Sequence, residues 1–326
     1  MRSGFVTVLG RPNVGKSTLV NHIVGTKVSI TSVQPNTTRQ RVLGVLHRPD
    51  AQVVFVDTPG LHRPRTALGS RLNQTATASL LDADLVLAVL DATAAIGPGD
   101  RLVLERALRS VRSGGPDRSD GPDPSDGSDG SDGSAPSGLL VVVNKVDRAR
   151  SDQTLERLAT AASALEQVAQ GADGGQDEGL AAAAAAAEFF PVSARTGAGV
   201  PELVDGIVDR LVEGPAFFPA DMVTDASEAT RVAELVREQL LRVARDELPH
   251  SIACRVTEWA WPHITVEILV ERDSQKGIVI GKGGEVLKAA GSAVRAELPP
   301  GAFLELVVRV ERSWQRREDQ LDRLGY

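Results

Sequence analysis

The sequence predicts an α/β domain with a doubly wound, mostly parallel sheet, followed by a smaller α+β domain. Over the first two thirds of the chain, short β-branched runs alternate with amphipathic stretches. After a stretch rich in Pro and Phe at 214–225, the pattern becomes helix, strand, strand, helix, helix, strand. With 326 residues and 42% hydrophobic content, the chain has enough apolar surface for two separate cores.

Five runs are expected to form the sheet of the first domain, which we assign to residues 1–213. They lie at 5–9, 53–57, 85–91, 139–144 and 189–192. Nearly continuous apolar character indicates strands that are covered on both faces, as in parallel sheets. Ligands of such sheets bind at the carboxyl ends of the strands.

Two segments interrupt this pattern and are predicted to be disordered loop insertions. Residues 114–137 are rich in Gly, Ser, Asp and Pro and contain almost no apolar side chain. Residues 171–187 begin Gly- and Asp-rich and end in polyalanine. The first segment has too little apolar surface to offset the entropy of ordering, and we infer no function from either segment.

A phosphate-binding loop is predicted directly after the first strand. The run Gly10-Arg-Pro-Asn-Val-Gly15-Lys16-Ser17 has every required position and precedes a helix. Backbone amides would surround a β-phosphate, the Lys16 ammonium would contact β/γ oxygens, and the Ser17 hydroxyl would ligate Mg²⁺. The residues expected at the phosphates are Gly10, Asn13, Val14, Gly15, Lys16, Ser17 and Thr18.

A second motif, Asp57-Thr58-Pro-Gly60, follows the next predicted strand. The Asp57 carboxylate is expected to hold Mg²⁺ through a water, and the Gly60 N–H to turn toward a γ-phosphate. Taken alone, such a tetrapeptide is an ordinary turn. Its position one βα unit after the phosphate loop favours the functional interpretation.

The base is predicted to be guanine. In Asn144-Lys145-Val146-Asp147, which follows directly after residues 139–143 of the strand, the Asp147 carboxylate can accept hydrogen bonds from guanine N1–H and the 2-amino group. Adenine lacks this pair of donors, so the motif selects GTP and GDP over ATP. The Lys145 stem would pack on the base, and Ser193-Ala194-Arg195 would offer a backbone N–H to guanine O6.

Together these motifs resemble the TrmE–Era–EngA–YihA–Septin-like class of GTPases. The resemblance implies that Gln34-Pro-Asn-Thr37-Thr38-Arg39 is switch I and that Thr38, or alternatively Thr37, reaches Mg²⁺. It implies catalytic roles for Lys16, Thr38 and Gly60. It also suggests a potassium ion at Asn13, although asparagine is common in tight turns. Leu61 stands where small regulatory GTPases place the glutamine that orients water, which predicts that intrinsic hydrolysis is slow or depends on another group.

The second domain, 226–326, is predicted to end in a helix at Trp314–Tyr326, and it contains Gly281-Lys282-Gly283-Gly284 between two predicted helices. Asp225 and Glu228 suggest a capping box at its first helix. The G-x-x-G form and the order αββααβ resemble a type II KH domain, which clamps about four single-stranded nucleotides. The domain carries 15 Lys and Arg against 16 Asp and Glu, so RNA contact depends on a local groove. The expected RNA contacts are Lys276, Gly281, Lys282, Gly283, Gly284 and Lys288.

The two domains in this order resemble the bacterial Era family over nearly the whole chain. That resemblance implies GTP hydrolysis coupled to binding of the 3′ region of 16S ribosomal RNA, in support of 30S subunit maturation. Two alternatives stay open. The GTPase could act on tRNA or large-subunit RNA, or the chain could be a non-hydrolysing scaffold that holds GDP and binds RNA.

Composition sets limits on other functions. The formal net charge of −7 argues against a generally basic nucleic-acid binder. Cys254 is the only cysteine, so no disulfide can form within the chain, and its place in an apolar run indicates core packing. Without an apolar run of about 18 residues or a leader before the first strand, we expect a cytoplasmic protein, at most peripheral at the inner face of the membrane, and a monomer.

Overall fold

The computed structural model describes residues 1–32, 34, 37–62, 64, 66–112, 138–170, 177–244 and 248–326. The chain divides into two compact units. Unit 1 contains residues 1–29, 41–62 and 73–224, and unit 2 contains 30–40, 63–72 and 225–326. The insertion predicted at 114–137 lies outside the described residues.

Unit 1 is built on a six-stranded sheet in the order β2-β3-β1-β4-β5-β6. All neighbouring pairs are parallel except β2 with β3, so the predicted doubly wound, mostly parallel sheet is confirmed. The antiparallel edge strand β2 was not predicted. The strands are β1 (Arg2–Gly10), β2 (Val42–His47), β3 (Ala51–Asp57), β4 (Leu85–Asp91), β5 (Leu139–Asn144) and β6 (Glu188–Val192).

Helices cover both faces of this sheet, and a separate apolar core lies on each face. The central strands are buried along nearly their whole length, which explains their continuous Val and Leu runs. The helices are α1 (Lys16–Val24), α2 (Ala67–Ala78), α3 (Pro98–Arg112), α4 (Ser151–Gln170), α5 (Glu178–Ala185) and α6 (Val200–Arg210). The division between the units falls within α2, after Leu72.

The disorder predicted for the second insertion, 171–187, is wrong for residues 177–187. The polyalanine run forms most of α5, whose first turn is capped by the Asp177 side chain, which accepts a hydrogen bond from Leu180 N–H at 3.3 Å. Alanine has the highest helix propensity, and Leu180 is buried in the core of this face. Residues 171–176 lie outside the described part of the chain.

The stretch predicted to be a linker, 214–225, belongs to unit 1 up to Thr224. Its Phe217 and Phe218 amides both donate to Gln52 Oε1, at 2.6 and 3.0 Å. Farther along, Val45 N–H donates to Val223 O at 2.9 Å. Unit 1 therefore extends about ten residues beyond the composition change at residue 214.

Unit 2 contains a three-stranded sheet in the order β7-β8-β9. β7 (Ala253–Ala260) is antiparallel to β8 (His263–Val270), which is parallel to β9 (Phe303–Val310). One core lies under α7, α9 and α10 and includes the buried, free Cys254. The helices are α7 (Glu228–Val243), α8 (Leu248–Ser251), α9 (Asp273–Ile280), α10 (Glu285–Ala296) and α11 (Glu318–Arg323).

Two local predictions for this unit are wrong in detail. The N-cap of α7 is Ser227, whose hydroxyl accepts a hydrogen bond from Thr230 N–H at 3.1 Å, and not Asp225. The single terminal helix expected from Trp314 to Tyr326 is instead a 3₁₀ turn at Trp314–Arg316 followed by α11. The short helix α8 was not predicted, and the order of the other helices and strands up to β9 is as predicted.

In the described residues, no helix has the length and apolar composition needed to cross a membrane.

Candidate functional site

The loop between β1 and α1 has the backbone conformation that a phosphate cradle requires. Gly15 is left-handed, with φ of 98°, and a Cβ there would overlap the Asn144 amide nitrogen. Asn13 also has a positive φ of 65°. Only glycine takes such conformations without strain, so the sequence motif and the backbone agree at Gly15. The loop leads into the N-terminus of α1, whose free amides favour anions.

Lys16 points back across this loop. Its ammonium donates to the carbonyls of Gly10 and Arg11, both at 3.1 Å. Burial lowers the pKa of Lys16 to about 8, and attraction to the Asp57 carboxylate opposes part of that change. A buried cation beside an anion-binding loop is suited to bind phosphate oxygens, whose negative charge would stabilise the protonated form.

The predicted magnesium ligands in unit 1 are Ser17 and Asp57. Ser17 lies in the first turn of α1, and the fully buried Asp57 ends β3. A hydroxyl and a carboxylate are hard oxygen donors, which suit Mg²⁺ when phosphate oxygens and waters complete the shell. The next residue has a structural role, since the Thr58 hydroxyl donates to Val8 O at 2.7 Å.

Gly60 lies against the phosphate loop. A Cβ at this position would approach the Pro12 nitrogen to 2.5 Å, so a larger residue would push the two loops apart. The adjacent Leu61 N–H donates to Gly10 O at 3.1 Å, and the Leu61 side chain is buried in the core. An apolar, buried side chain cannot orient an attacking water, as the sequence indicated.

Asp147 is held by two partners that fix its carboxylate. Ser193 Oγ donates to Oδ1 at 2.7 Å, and Arg195 Nε and Nη2 donate to Oδ2 at 2.8 and 2.7 Å. The hydrogen bond from Ser193 and then those from Arg195 keep the pKa of Asp147 below its usual range, despite the opposing effect of burial. The carboxylate is therefore an acceptor at neutral pH, as guanine recognition requires.

Lys145 links the base-reading motif to the phosphate loop. Its ammonium donates to Asn13 O and to Asp91 Oδ2, both at 2.6 Å. Burial raises the pKa of Asp91, but hydrogen bonds from Lys145 and Thr93 outweigh it, and the net change is downward. Sequence reasoning missed Asp91, although its place at the carboxyl end of β4 was a signal.

Asn144 braces the site instead of facing the base. Its amide donates to Val14 O at 2.8 Å, and its Oδ1 accepts the Ala194 N–H at 2.9 Å. One side chain thus ties together the phosphate loop, β5 and the loop after β6. The Ala194 N–H, predicted to be one of the amides near guanine O6, is bonded to Asn144 in this structure.

The predicted switch I residues belong to unit 2. Thr38 is buried there, and the Thr37 carbonyl accepts a hydrogen bond from Arg237, a fully buried residue that also pairs with Glu234. Thr31 N–H donates to Glu238 Oε1 at 3.0 Å. The predicted role of Thr38 or Thr37 at Mg²⁺ therefore stays a prediction.

Arg39 is the most strongly held residue of this segment. Its guanidinium donates to three carbonyls around the end of α8, those of Ile252, His250 and Pro249, at 2.7, 2.8 and 3.2 Å. It also lies 5.5 Å from the ring centre of Trp314 and 5.6 Å from that of Tyr326. Carbonyls at a helix end and aromatic faces both favour a cation, which explains why a buried arginine is accepted here.

The Gly281–Gly284 segment forms an open loop between α9 and α10. Gly281, Gly283 and Gly284 all have positive φ, of 75°, 61° and 81°. No atom lies within 4 Å of a Cβ built at Gly283 or Gly284, and the Lys282 side chain is exposed. The loop therefore has the bare backbone and accessible charge that suit close approach of an RNA strand.

The side chains around this loop have mixed exposure. Lys288 is exposed and Lys276 is half-buried, while Ile278 is 54% exposed. Trp259 lies in β7 and Trp261 in the turn that follows it, and their side chains are 42% and 50% exposed. The individual RNA contacts that we predicted remain predictions.

Comparisons with known proteins agree with both halves of this description. A family model described as "50S ribosome-binding GTPase" matches residues 5–113, and a "KH domain" model matches residues 247–315. The protein named GTPase Era from Mycobacterium tuberculosis is 40% identical over 335 residues, covering 99% of this chain and 98% of the relative. The chain belongs to the Era family of GTPases. A second Era, from Mycobacterium sp. (strain JLS), is 40% identical over 337 residues, covering 100% and 99%.

Two solved Era structures share the fold over the whole chain. Era in complex with MgGDPNP and nucleotides 1506–1542 of 16S ribosomal RNA is 34% identical, with a TM-score of 0.82 and coverage of 100% and 99%. A single-residue variant of Aquifex aeolicus Era bound to GDP.AlF4⁻ is also 34% identical, with a TM-score of 0.80 and the same coverage. The resemblance to Era and the predicted fold class are thus confirmed, and as a member of this family the chain is a GTPase.

Proposed function

We propose that this GTPase couples its nucleotide state to binding of the 3′ region of 16S ribosomal RNA and so assists maturation of the 30S subunit. The observation that carries the proposal is the presence, in one chain, of a guanine-nucleotide site in unit 1 and a bare Gly281–Gly284 loop in unit 2. The similar Era structure that holds both MgGDPNP and a 16S RNA segment supports it.

Hydrolysis in this proposal depends on positioning and charge. Lys16 and the loop amides hold the β- and γ-phosphates, and Gly60 N–H contacts the γ-phosphate. Ser17 and Asp57 would hold Mg²⁺, with Thr38 as a further ligand. When bound, Mg²⁺ would neutralise part of the charge on the phosphate oxygens. Since Leu61 cannot orient water, the chemical step should be slow without another group.

We propose that Asn13 provides a potassium site that supplies part of this missing catalysis. Its exposed side chain and positive φ place the amide at the rim of the phosphate loop. We expect GTP turnover to be at least about tenfold faster in potassium than in sodium buffer. Asn13→Gly keeps the backbone conformation and should abolish the difference. Equal turnover of the unaltered protein in the two buffers would remove potassium from the mechanism.

The coupling is tested by crosslinking the full-length protein to cellular RNA with a non-hydrolysable GTP analogue or with GDP, followed by sequencing. We expect reads at the 3′ end of 16S RNA, with a yield that depends on the nucleotide. Lys16→Ala should lose that dependence, because it removes the buried cation from the phosphates, while its crosslinks keep the same position.

The alternatives give different results in this experiment. Reads concentrated on tRNA or large-subunit RNA would contradict the proposed target. Equal yields with both nucleotides would contradict the coupling and favour an RNA-binding scaffold. The cytoplasmic location, peripheral membrane contact and monomeric state stay predictions drawn from the sequence.

A further inference from the structure

A polar cavity opens in unit 2, at the edge of the sheet where β8 and β9 both end. Because these strands are parallel, the segments that follow them leave from the same edge, and Glu311 N–H donates to Val270 O at 2.8 Å. The cavity has a volume of about 430 Å³. Its lining residues are Glu271, Arg272, Asp273, Arg312, Ser313 and Arg316.

Two arginines that line the cavity have no ionic partner among the described residues. Arg317 pairs with Glu311 and Asp319, and Arg309 pairs with Glu267. Arg312 and Arg316, by contrast, are exposed and form no ion pair within the ranges that the structure describes. Arg272, which also lines the cavity, has other contacts. Both Arg312 and Arg316 line the cavity.

The backbone of Ser313 gives independent support. In the described part of the chain, only three non-glycine residues have positive φ, namely Asn13, Lys145 and Ser313. The first two belong to the nucleotide site. Ser313, with φ of 53°, keeps a side chain where glycine would avoid strain, and such positions concentrate at ligand sites. Its hydroxyl can donate to a phosphate oxygen.

The position of the cavity relates it to the proposed RNA clamp. It lies at the start of α9, and the Gly281–Gly284 loop follows the end of the same helix. Eight residues of α-helix span about 12 Å. A KH loop clamps about four nucleotides, so a longer RNA strand extends beyond the clamp, and a strand that follows α9 would reach the cavity.

We propose that this cavity binds one nucleotide of the RNA strand that continues beyond the clamp, an inference that rests on the proposed RNA-binding function. Arg312, Arg316 and Ser313 bind the phosphodiester. Glu271 and Asp273 would repel a bare multivalent anion, but they can accept hydrogen bonds from the exocyclic amino group of a base. The mixed charge of the cavity therefore suits a nucleotide better than inorganic phosphate.

The test compares two RNAs, one with the sequence of nucleotides 1506–1542 of 16S RNA and one of about five nucleotides that fills only the clamp. Arg312→Gln/Arg316→Gln should weaken binding of the long RNA about tenfold and leave the short RNA unchanged. Loss of two phosphate contacts should also reduce the salt dependence of long-RNA binding by about 1.4 in the log–log slope. Arg317→Gln/Arg323→Gln removes the same charge outside the cavity and should retain affinity.

Ser313→Gly separates binding from folding. It relieves the left-handed strain and should raise the melting temperature, yet weaken long-RNA binding roughly fivefold. Equal losses in the cavity and control variants, loss with the short RNA, or unchanged long-RNA affinity would each overturn the proposal. If the unaltered protein binds neither RNA, the proposed RNA-binding function is wrong, and the cavity proposal that rests on it is wrong as well.

Discussion

Asp147→Asn should reverse the base preference of the nucleotide site. The amide replaces a carboxylate that would accept two hydrogen bonds from guanine, and hydrogen bonds to a charged group contribute about 1.5–3 kcal/mol each. A loss of about 4 kcal/mol corresponds to a roughly thousandfold weaker affinity for GDP. Xanthine carries an oxygen where guanine has the 2-amino group, so the asparagine NH₂ can donate to it. We therefore expect the variant to prefer XDP.

The measurement is a competition assay in which unlabelled GDP or XDP displaces a labelled nucleotide from the protein. Asp152→Asn is a matched control, because it neutralises an exposed carboxylate that pairs with Arg150 outside the site. Unchanged GDP affinity in Asp147→Asn would show that this carboxylate does not read the base. A melting curve distinguishes lost recognition from the loss of the Ser193 and Arg195 contacts.

Lys282→Asp/Gly283→Asp should abolish RNA binding while leaving GTP hydrolysis intact. Two carboxylates would replace a cation and a bare backbone position in the path of the phosphates, and we expect a loss of at least roughly a hundredfold. The space around a Cβ at Gly283 is open, so the fold should persist despite the positive φ.

Arg323→Asp/Gly301→Asp is the matched control for the clamp variant. Gly301 also has a positive φ, of 96°, and open space around its Cβ, and Arg323 provides an equivalent charge reversal. Binding is measured by fluorescence anisotropy with labelled 16S RNA. Similar affinities for the clamp variant and the unaltered protein would exclude Gly281–Gly284 as the RNA clamp.

The parts of the site that could be predicted are those encoded in short motifs at strand ends. Gly15, Lys16 and Asp147 follow directly from local sequence, because a parallel sheet brings the carboxyl ends of its strands to one edge. Asp91 was missed because a single carboxylate at a strand end has no distinctive neighbours. Only the folded chain shows that it pairs with Lys145.

Long-range contacts were also beyond sequence reasoning. The sequence places Arg39 in a polar loop. In the structure it is buried, and it donates to carbonyls more than 200 residues away in the sequence. Strand β2 was missed because it is a short edge strand, stabilised by antiparallel pairing with β3. The polyalanine segment was misjudged by composition, although alanine has the highest helix propensity and the Asp177 cap was present in the sequence.

The central claim is that the site in unit 1 is built for a guanine nucleotide, and a side-by-side calorimetric titration of the full-length protein with GDP and ADP in the presence of Mg²⁺ tests it most directly. A site that hydrogen-bonds its ligand rejects an analogue lacking those donors by about 10⁴-fold. We therefore expect GDP to bind and ADP to give no heat at the same concentrations. Comparable affinities for the two nucleotides would contradict the account.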